Sequence, residues 1–226
     1  MKLAKPFIDI GLMTTRPDVV GAFWRDEAGA VFDHVLPIRR GHKQHRYDLQ
    51  GSVLKINAVE ALPAAPAGGY TEVLIVRPGL TALRPLTDPD GNRLTLVPPG
   101  YLGVTQIAVR VGVRDSEIHR RFYRRALQLP VSGEGAFCAG ESLILVDQAG
   151  DAPSDAAIQG PGFRYLTFQV HDAPSEHARF LANGGFAGTP VQRMGDVAII
   201  AMVRDPDGNW LELSQRASLT GPLDPE

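Results

Sequence analysis

Apolar and polar residues alternate over 105–111, and the run gives way at Asp115 to a helical pattern through Leu127, with Ile118, Phe122 and Ala126 on one side. A carboxylate just before such a pattern is a natural helix start. The chain opens with the same succession: residues 8–13 alternate as a strand, and 18–28 read as a helix in which Phe23-Trp24 stands where Phe122-Tyr123 stands later, at an offset of about 96 to 99 residues. A further helix is predicted over 172–185, with Asp172 near its start, Pro174 in its first turn and Gly184-Gly185 ending it. Between Val76 and Leu86 the chain has only Arg-Pro-Gly-Leu-Thr-Ala-Leu-Arg-Pro, too little for the matching helix, so the first half is expected to lack one.

The segment Asp-Pro-Asp-Gly-Asn-Arg-Leu-Thr-Leu at 88–96 returns as Asp-Pro-Asp-Gly-Asn-Trp-Leu-Glu-Leu at 205–213. Pro fixes φ, Asp and Asn accept local hydrogen bonds, and Gly supplies a positive φ before an alternating strand begins, so each copy predicts a tight turn delivering a final strand. The offset here has grown to about 117, and the predicted helix over 172–185 accounts for the roughly twenty extra residues. The pattern is that of an α+β chain in tandem: a strand–helix–three-strand (βαβββ) unit occurs twice over 101–215 and one and a half times over 5–98. Residues 1–99 then form an N-terminal domain, 100–216 a C-terminal domain after the linker Pro98-Pro99-Gly100, and 217–226 a frayed tail. The Ala/Pro/Gly/Asp-rich loops at 61–69 and 148–162 join the halves of each domain and are placed to border a concave face.

Side chains alternate along strands, which separates the faces. In the C-terminal half Ile107, Val109, Leu166, Phe168, Val170, Leu211 and Leu213 are a consistent apolar set expected beneath the helices. The opposite set is Gln106, Ala108, Arg110, Tyr165, Thr167, Gln169, Trp210, Glu212 and Ser214. A glutamate between two leucines is costly to bury without a partner. The matching N-terminal positions are read as Ile10, Leu12, Thr71, Val73, Thr95 and Val97. None is a strong cation ligand, which makes the first domain a scaffold, partner surface or lid.

A formal net charge of −2 argues against nucleic acid as the main partner and leaves a small molecule. The lone Cys138 permits no intrachain disulfide and reads as a small buried hydrophobe. Nowhere do about 18 apolar residues run together, and no leader pattern precedes Asp9, so a cytoplasmic protein is expected, with no membrane partner. His34, His42 and His45 sit in or beside the basic stretch 39–46, read as a solvated hairpin tip with a loop metal ligand or an anion clamp as the alternatives, while His119, His171 and His177 read as surface residues. Arg120, Arg121, Arg124 and Arg125 read as a wet helix face.

The order of elements, the Phe-Tyr pair of the first helix and the Asp-Pro-Asp-Gly-Asn-x-Leu-Glu-Leu ending resemble the vicinal oxygen chelate superfamily of glyoxalases, bleomycin-resistance proteins and extradiol dioxygenases, across nearly the whole chain. The resemblance implies two glyoxalase/dioxygenase-like domains with concave half-barrel sheets, and chemistry confined to the C-terminal one. It implies a divalent metal (iron, manganese, zinc or nickel) held by Gln106, Tyr165 and Glu212, with Ile144 at a fourth position. The function implied is a metal-dependent enzyme on a small oxygenated, perhaps aromatic, metabolite, a glyoxalase-like lyase or isomerase or a ring-cleavage dioxygenase. Glu212 and Tyr165 would be catalytic, and Trp210, Arg110, Thr167 and Gln169 would contact substrate. The His, His, Glu triad of ring cleavage is not matched, since two of the three are absent. A neutral amide and one carboxylate are a thin donor set for such metals. The alternative is therefore a metal-free protein that sequesters an antibiotic or metabolite, with Gln106, Tyr165 and Glu212 as a hydrogen-bonded floor. Unpaired strand edges leave room for a homodimer.

Overall fold

The computed structural model describes residues 1–133 and 135–223. In chain order the elements are β1 (Asp9–Thr14), α1 (Pro17–Asp26), β2 (Val31–Arg39), β3 (His42–Leu49), β4 (Ser52–Val59), β5 (Tyr70–Val76), β6 (Arg84–Thr87), β7 (Arg93–Val97), a 3-10 turn at Tyr101–Gly103, β8 (Ile107–Val113), α2 (Ser116–Arg125), β9 (Val131–Gly133), β10 (Ala136–Ala139), β11 (Ser142–Gln148), β12 (Gly162–Gln169), α3 (Ala173–Ala182), β13 (Phe186–Met194), β14 (Ala198–Arg204), β15 (Trp210–Arg216) and α4 (Ala217–Thr220). This is an α+β fold of tandem βαβββ modules, and the second module, β5 to β7, lacks its helix as the sequence pattern predicts.

Local chemistry sets the element ends. The Asp115 carboxylate accepts the Ile118 N–H and that of Asp172 accepts the Ser175 N–H, so each satisfies an otherwise orphaned helix donor. In the two repeated turns Asp88 accepts from the backbone of Asp90 and Asn92, and Asp205 from that of Asp207 and Asn209. Gly91 and Gly208 take φ of 88° and 81°, the left-handed conformation these turns require. Residues 217–220 of the expected tail form α4, and 224–226 lie outside the described residues.

The strands assemble into an eight-stranded sheet in the order β13-β14-β15-β12-β1-β4-β3-β2 and a seven-stranded sheet in the order β6-β7-β5-β8-β11-β10-β9. The modules thus pair first with fourth and second with third. At the centre of the larger sheet β1 runs antiparallel to β12, and at the centre of the smaller one β5 runs antiparallel to β8. The boundary at 99/100 divides the repeat but not the sheets, because each sheet takes strands from both sides of it.

One continuous apolar core lies between the two sheets and the helices. It contains Ile107, Val109, Leu166, Phe168, Val170, Leu211 and Leu213, as the alternation predicts. It also contains Ile10, Leu12 and Val73, which the sequence reading placed on the concave side. The reading of the first half was one residue out of phase at β1 and β5, where apolar residues run on both faces and alternation carries no signal. Thr71 is only half-buried beside the Arg110 carbonyl. Thr95 and Val97 belong to the other side of the smaller sheet. There Leu74, Val76, Val97, Val104, Ala108, Leu143 and Leu145 form a second apolar cluster, covered by Tyr101 of the 3-10 turn and joined by the half-buried Cys138. Among the described residues no helix is long and apolar enough to cross a membrane.

Candidate ligand cup

The concave face of the eight-stranded sheet encloses a cavity of about 710 Å³. One rim is the β2–β3 hairpin, with Leu36, Pro37 and Ile38. The other is β13, β14 and the turn between them, with Met194, Val197, Ile200 and Met202. Ile158, from the loop predicted to border the hollow, closes one side, and Trp210 stands beside it with its indole N–H donating to the Ala156 carbonyl at 2.8 Å. The walls are mainly apolar and the floor is polar.

At the centre of that floor the Lys55 ammonium lies 2.6 Å from Thr167 Oγ1 and 3.2 Å from Glu212 Oε2. The Thr167 hydroxyl in turn donates to Glu212 Oε2 at 3.1 Å. Burial pushes the lysine pKa down, against the opposing pull of Glu212 and Asp9. Below the floor Asp9 is fully buried, accepting from Lys5 at 2.7 Å, the Val53 amide at 2.8 Å and Gln169 Nε2 at 2.9 Å. Burial alone would raise the Asp9 pKa, but Lys55 and Lys5 hold it below the usual carboxylate value.

Beside this pair Tyr165 lies across β1, above Gly11. A β-carbon on Gly11 would fall 2.2 Å from the ring, so the close approach requires glycine. The phenol oxygen accepts an N–H from Asn57 at 3.1 Å and another from Gln44 at 3.3 Å. Neither amide can be turned round. Asn57 Nδ2 also faces the Leu12 carbonyl at 2.9 Å, and Gln44 Oε1 receives an Arg46 guanidinium N–H at 2.8 Å. Burial, with Glu212 nearby, pushes the Tyr165 pKa well up, so the phenol keeps its proton. Asn57 Oδ1 lies 3.1 Å from His42 Nε2, which makes that nitrogen the protonated one.

Of the residues singled out from the sequence, Tyr165, Glu212 and Trp210 line this cup. Thr167 is fully buried in the floor against Lys55 and Glu212, and Gln169 sits under it, bound to Asp9. Gln106 and Arg110 belong elsewhere. Gln106 enters β8 in the smaller sheet, where its amide donates to Leu49 O, Gln50 O and Ser52 Oγ and accepts from Ile107 N and Ser142 Oγ. Arg110 pairs with Asp147 at 2.8 Å and Glu72 at 3.3 Å. Ile144 is fully buried in the main core. The cause is the pairing of modules: β8 adds to β5 and β11 in the smaller sheet, so Gln106 and Arg110 do not reach the cup floored by β12 and β15.

The residues in and under the floor missed from the sequence are Lys55, Asn57, Gln44 and Asp9, and His42, read as part of a solvated hairpin tip, lines the cup. The signal was present in Leu54-Lys55-Ile56, a lone charge in an apolar strand like Leu211-Glu212-Leu213. Within the basic stretch, Arg39, Arg40 and Gly41 form the exposed tip, whereas His42, Gln44 and Arg46 turn toward the floor. His34 is exposed beside Asp33. His171 is exposed and His177 half-buried, but His119 is fully buried, with Nδ1 donating to the Asp115 carbonyl at 2.9 Å and Nε2 lying 3.4 Å from Asp205.

The family model described as Glyoxalase/Bleomycin resistance protein/Dioxygenase superfamily matches residues 104–213. Residues 104–213 thus carry the sequence pattern of that superfamily. Glyoxalase I from Zea mays superposes on it with a TM-score of 0.73 at 13% identity, over 95% of this chain and 92% of the other. A candidate dioxygenase from Bacillus subtilis subsp. subtilis str. 168 does so with a TM-score of 0.70 at 11% identity, over 96% and 85%. At such identities the likeness is one of fold. No curated protein matches the chain in sequence.

The residues of this chain do not fit a divalent metal in the cup. Gln106 is in the other sheet, the Tyr165 oxygen already receives Asn57 and Gln44, and Glu212 Oε2 already receives Lys55 and Thr167. Among the described residues no three His, Cys, Asp or Glu side chains converge as ligands. A buried ammonium at the focus of the donors competes directly with a cation for them.

Proposed function

We propose that this protein binds a small, largely apolar molecule in the cup of its eight-stranded sheet, receiving one of the ligand's acceptor oxygens on the Tyr165 hydroxyl, with no divalent metal at the floor. The observation that carries this reading is the hydrogen-bond valence of Tyr165. Two amide N–H groups of fixed orientation occupy its lone pairs, which leaves its own O–H to be given away. No acceptor for that hydrogen stands among the described residues. Burial without a partner would cost about 1–3 kcal/mol, so the arrangement favours a molecule that brings an acceptor. The cavity volume and apolar walls suit a compact organic ligand. Trp210 offers it a ring face, and Glu212 and Lys55 surround its polar end. Between the metal-dependent enzyme and the metal-free binding protein, the donor set supports the second.

The test compares three probes with one ring: acetophenone and benzoate, which carry acceptor oxygens, and ethylbenzene, which does not. Ligand-observed NMR should show the first two bound by the native protein and weakened roughly five-fold in Tyr165→Phe, the effect of about 1 kcal/mol. Ethylbenzene should not distinguish the two proteins. Equal binding of acetophenone and benzoate by both proteins, or stoichiometric divalent metal in protein purified without chelator, would defeat the reading.

A further inference from the structure

We propose that the Lys55 ammonium is a built-in cation: it holds the strand position equivalent to that of Glu212 and sits, as a tethered charge, where the oxygen donors of the cup floor converge. The inference rests on the metal-free part of the function proposed above. Its first support is the symmetry of the larger sheet. Gly11 on β1 pairs in parallel with Lys55 on β4, and Thr167 on β12 pairs in parallel with Glu212 on β15. In both strands the flanking residues, Leu54 and Ile56 or Leu211 and Leu213, point into the main core, and the residue between them faces the cup. Lys55 is therefore the counterpart of Glu212, reaching the same centre from the opposite half of the sheet.

The second support is the environment of that centre. Lys55 is 1% exposed, yet its ammonium touches Thr167 Oγ1 and Glu212 Oε2 within 3.2 Å. Both are hard oxygen donors of the kind that bind small cations. Asp9 adds a second carboxylate whose field reaches Lys55. A charge so buried persists only when oxygens surround it, and here β4 supplies the charge while β12 and β15 supply the oxygens. The same strand position, occupied by lysine in one module and glutamate in the other, makes an ion pair where two glutamates would be a like-charged pair.

The experiment exchanges the internal cation for an external one. Native protein, Lys55→Glu and the double variant Lys55→Glu/Glu212→Gln are titrated with Co(II), followed by visible absorption and by melting temperature. Native protein should take up none. Lys55→Glu should bind it and melt several degrees higher in its presence, and the double variant should lose that response. Because Lys55→Glu crowds carboxylates and can fail to fold, Lys55→Ala is tested in parallel: methylammonium chloride should raise its melting temperature more than sodium chloride at equal concentration, with no such difference for the native protein. Absence of a Co(II) response in folded Lys55→Glu, or of the methylammonium effect in Lys55→Ala, would overturn the inference alone. Stoichiometric Co(II) uptake by the native protein would overturn it together with the metal-free reading.

Discussion

Gly11 has no side chain because the Tyr165 ring needs the space above it, and that coupling makes the smallest residue of the floor a control on the largest. A methyl at 2.2 Å from the ring cannot be accommodated without lifting the phenol away from Asn57 and Gln44. Gly11→Ala is expected to destabilise by about 1–3 kcal/mol in urea unfolding, as overpacked positions do. It should also weaken acetophenone binding as Tyr165→Phe does, although Gly11 itself offers a ligand nothing. Unchanged acetophenone binding in a folded Gly11→Ala protein would mean the ring position does not matter. At this scale the sequence was legible where a polar residue interrupts an apolar strand, which exposed Glu212 and Tyr165. It was silent on Gly11, Asn57 and Gln44, whose roles exist only after β1, β3, β4 and β12 become neighbours.

Among the elements, the repeated turns do more than reverse the chain. Asp88 receives the indole N–H of Trp24 at 3.1 Å from α1, besides its own backbone donors and Asn92 Nδ2. Asp205 serves its turn in the same way and faces His119 of α2. Each aspartate staples a helix of one module to the closing turn of the next. Asp88→Ala should therefore cost roughly 2–4 kcal/mol in chemical denaturation, more than loss of a turn contact alone, because several buried donors are orphaned together. A loss below about 1 kcal/mol would show that the turn stands without the staple. For His119, burial opposes the charged form, but Asp205, the Asp115 carbonyl and Asp207 together raise its pKa above the ordinary 6.5. A raised folded pKa contributes stability that is complete below the unfolded value and is lost as pH climbs through the folded one. Unfolding free energy should therefore fall from about pH 6 toward alkaline pH, and His119→Gln should flatten that slope in urea titrations repeated across the range. The elements themselves were readable from periodicity and caps, down to Asp115 and Asp172. His119 was misjudged because its charged helical neighbours hide a single inward position.

Across the whole molecule, strands pair between the two halves of the chain whereas the aspartate staples join modules within each half. Residues 1–99 or 100–226 alone would leave β1 without β12 and β5 without β8, exposing apolar strand edges at the middle of both sheets. Either half alone is expected to lack cooperative thermal unfolding, and co-expression of the two should restore it along with co-elution in size-exclusion chromatography. The repeat announced three and a half modules in the sequence, but a repeat cannot say which copies become partners, and that one unknown misplaced Gln106 and Arg110. The packed side of the smaller sheet, with Tyr101 against its apolar cluster, carries a last consequence. In a saturation survey of variants, residues there should betray themselves through abundance only, while their counterparts along the larger sheet are free to alter what the protein recognises. On that expectation one surface holds the molecule together and the other is open to diversify.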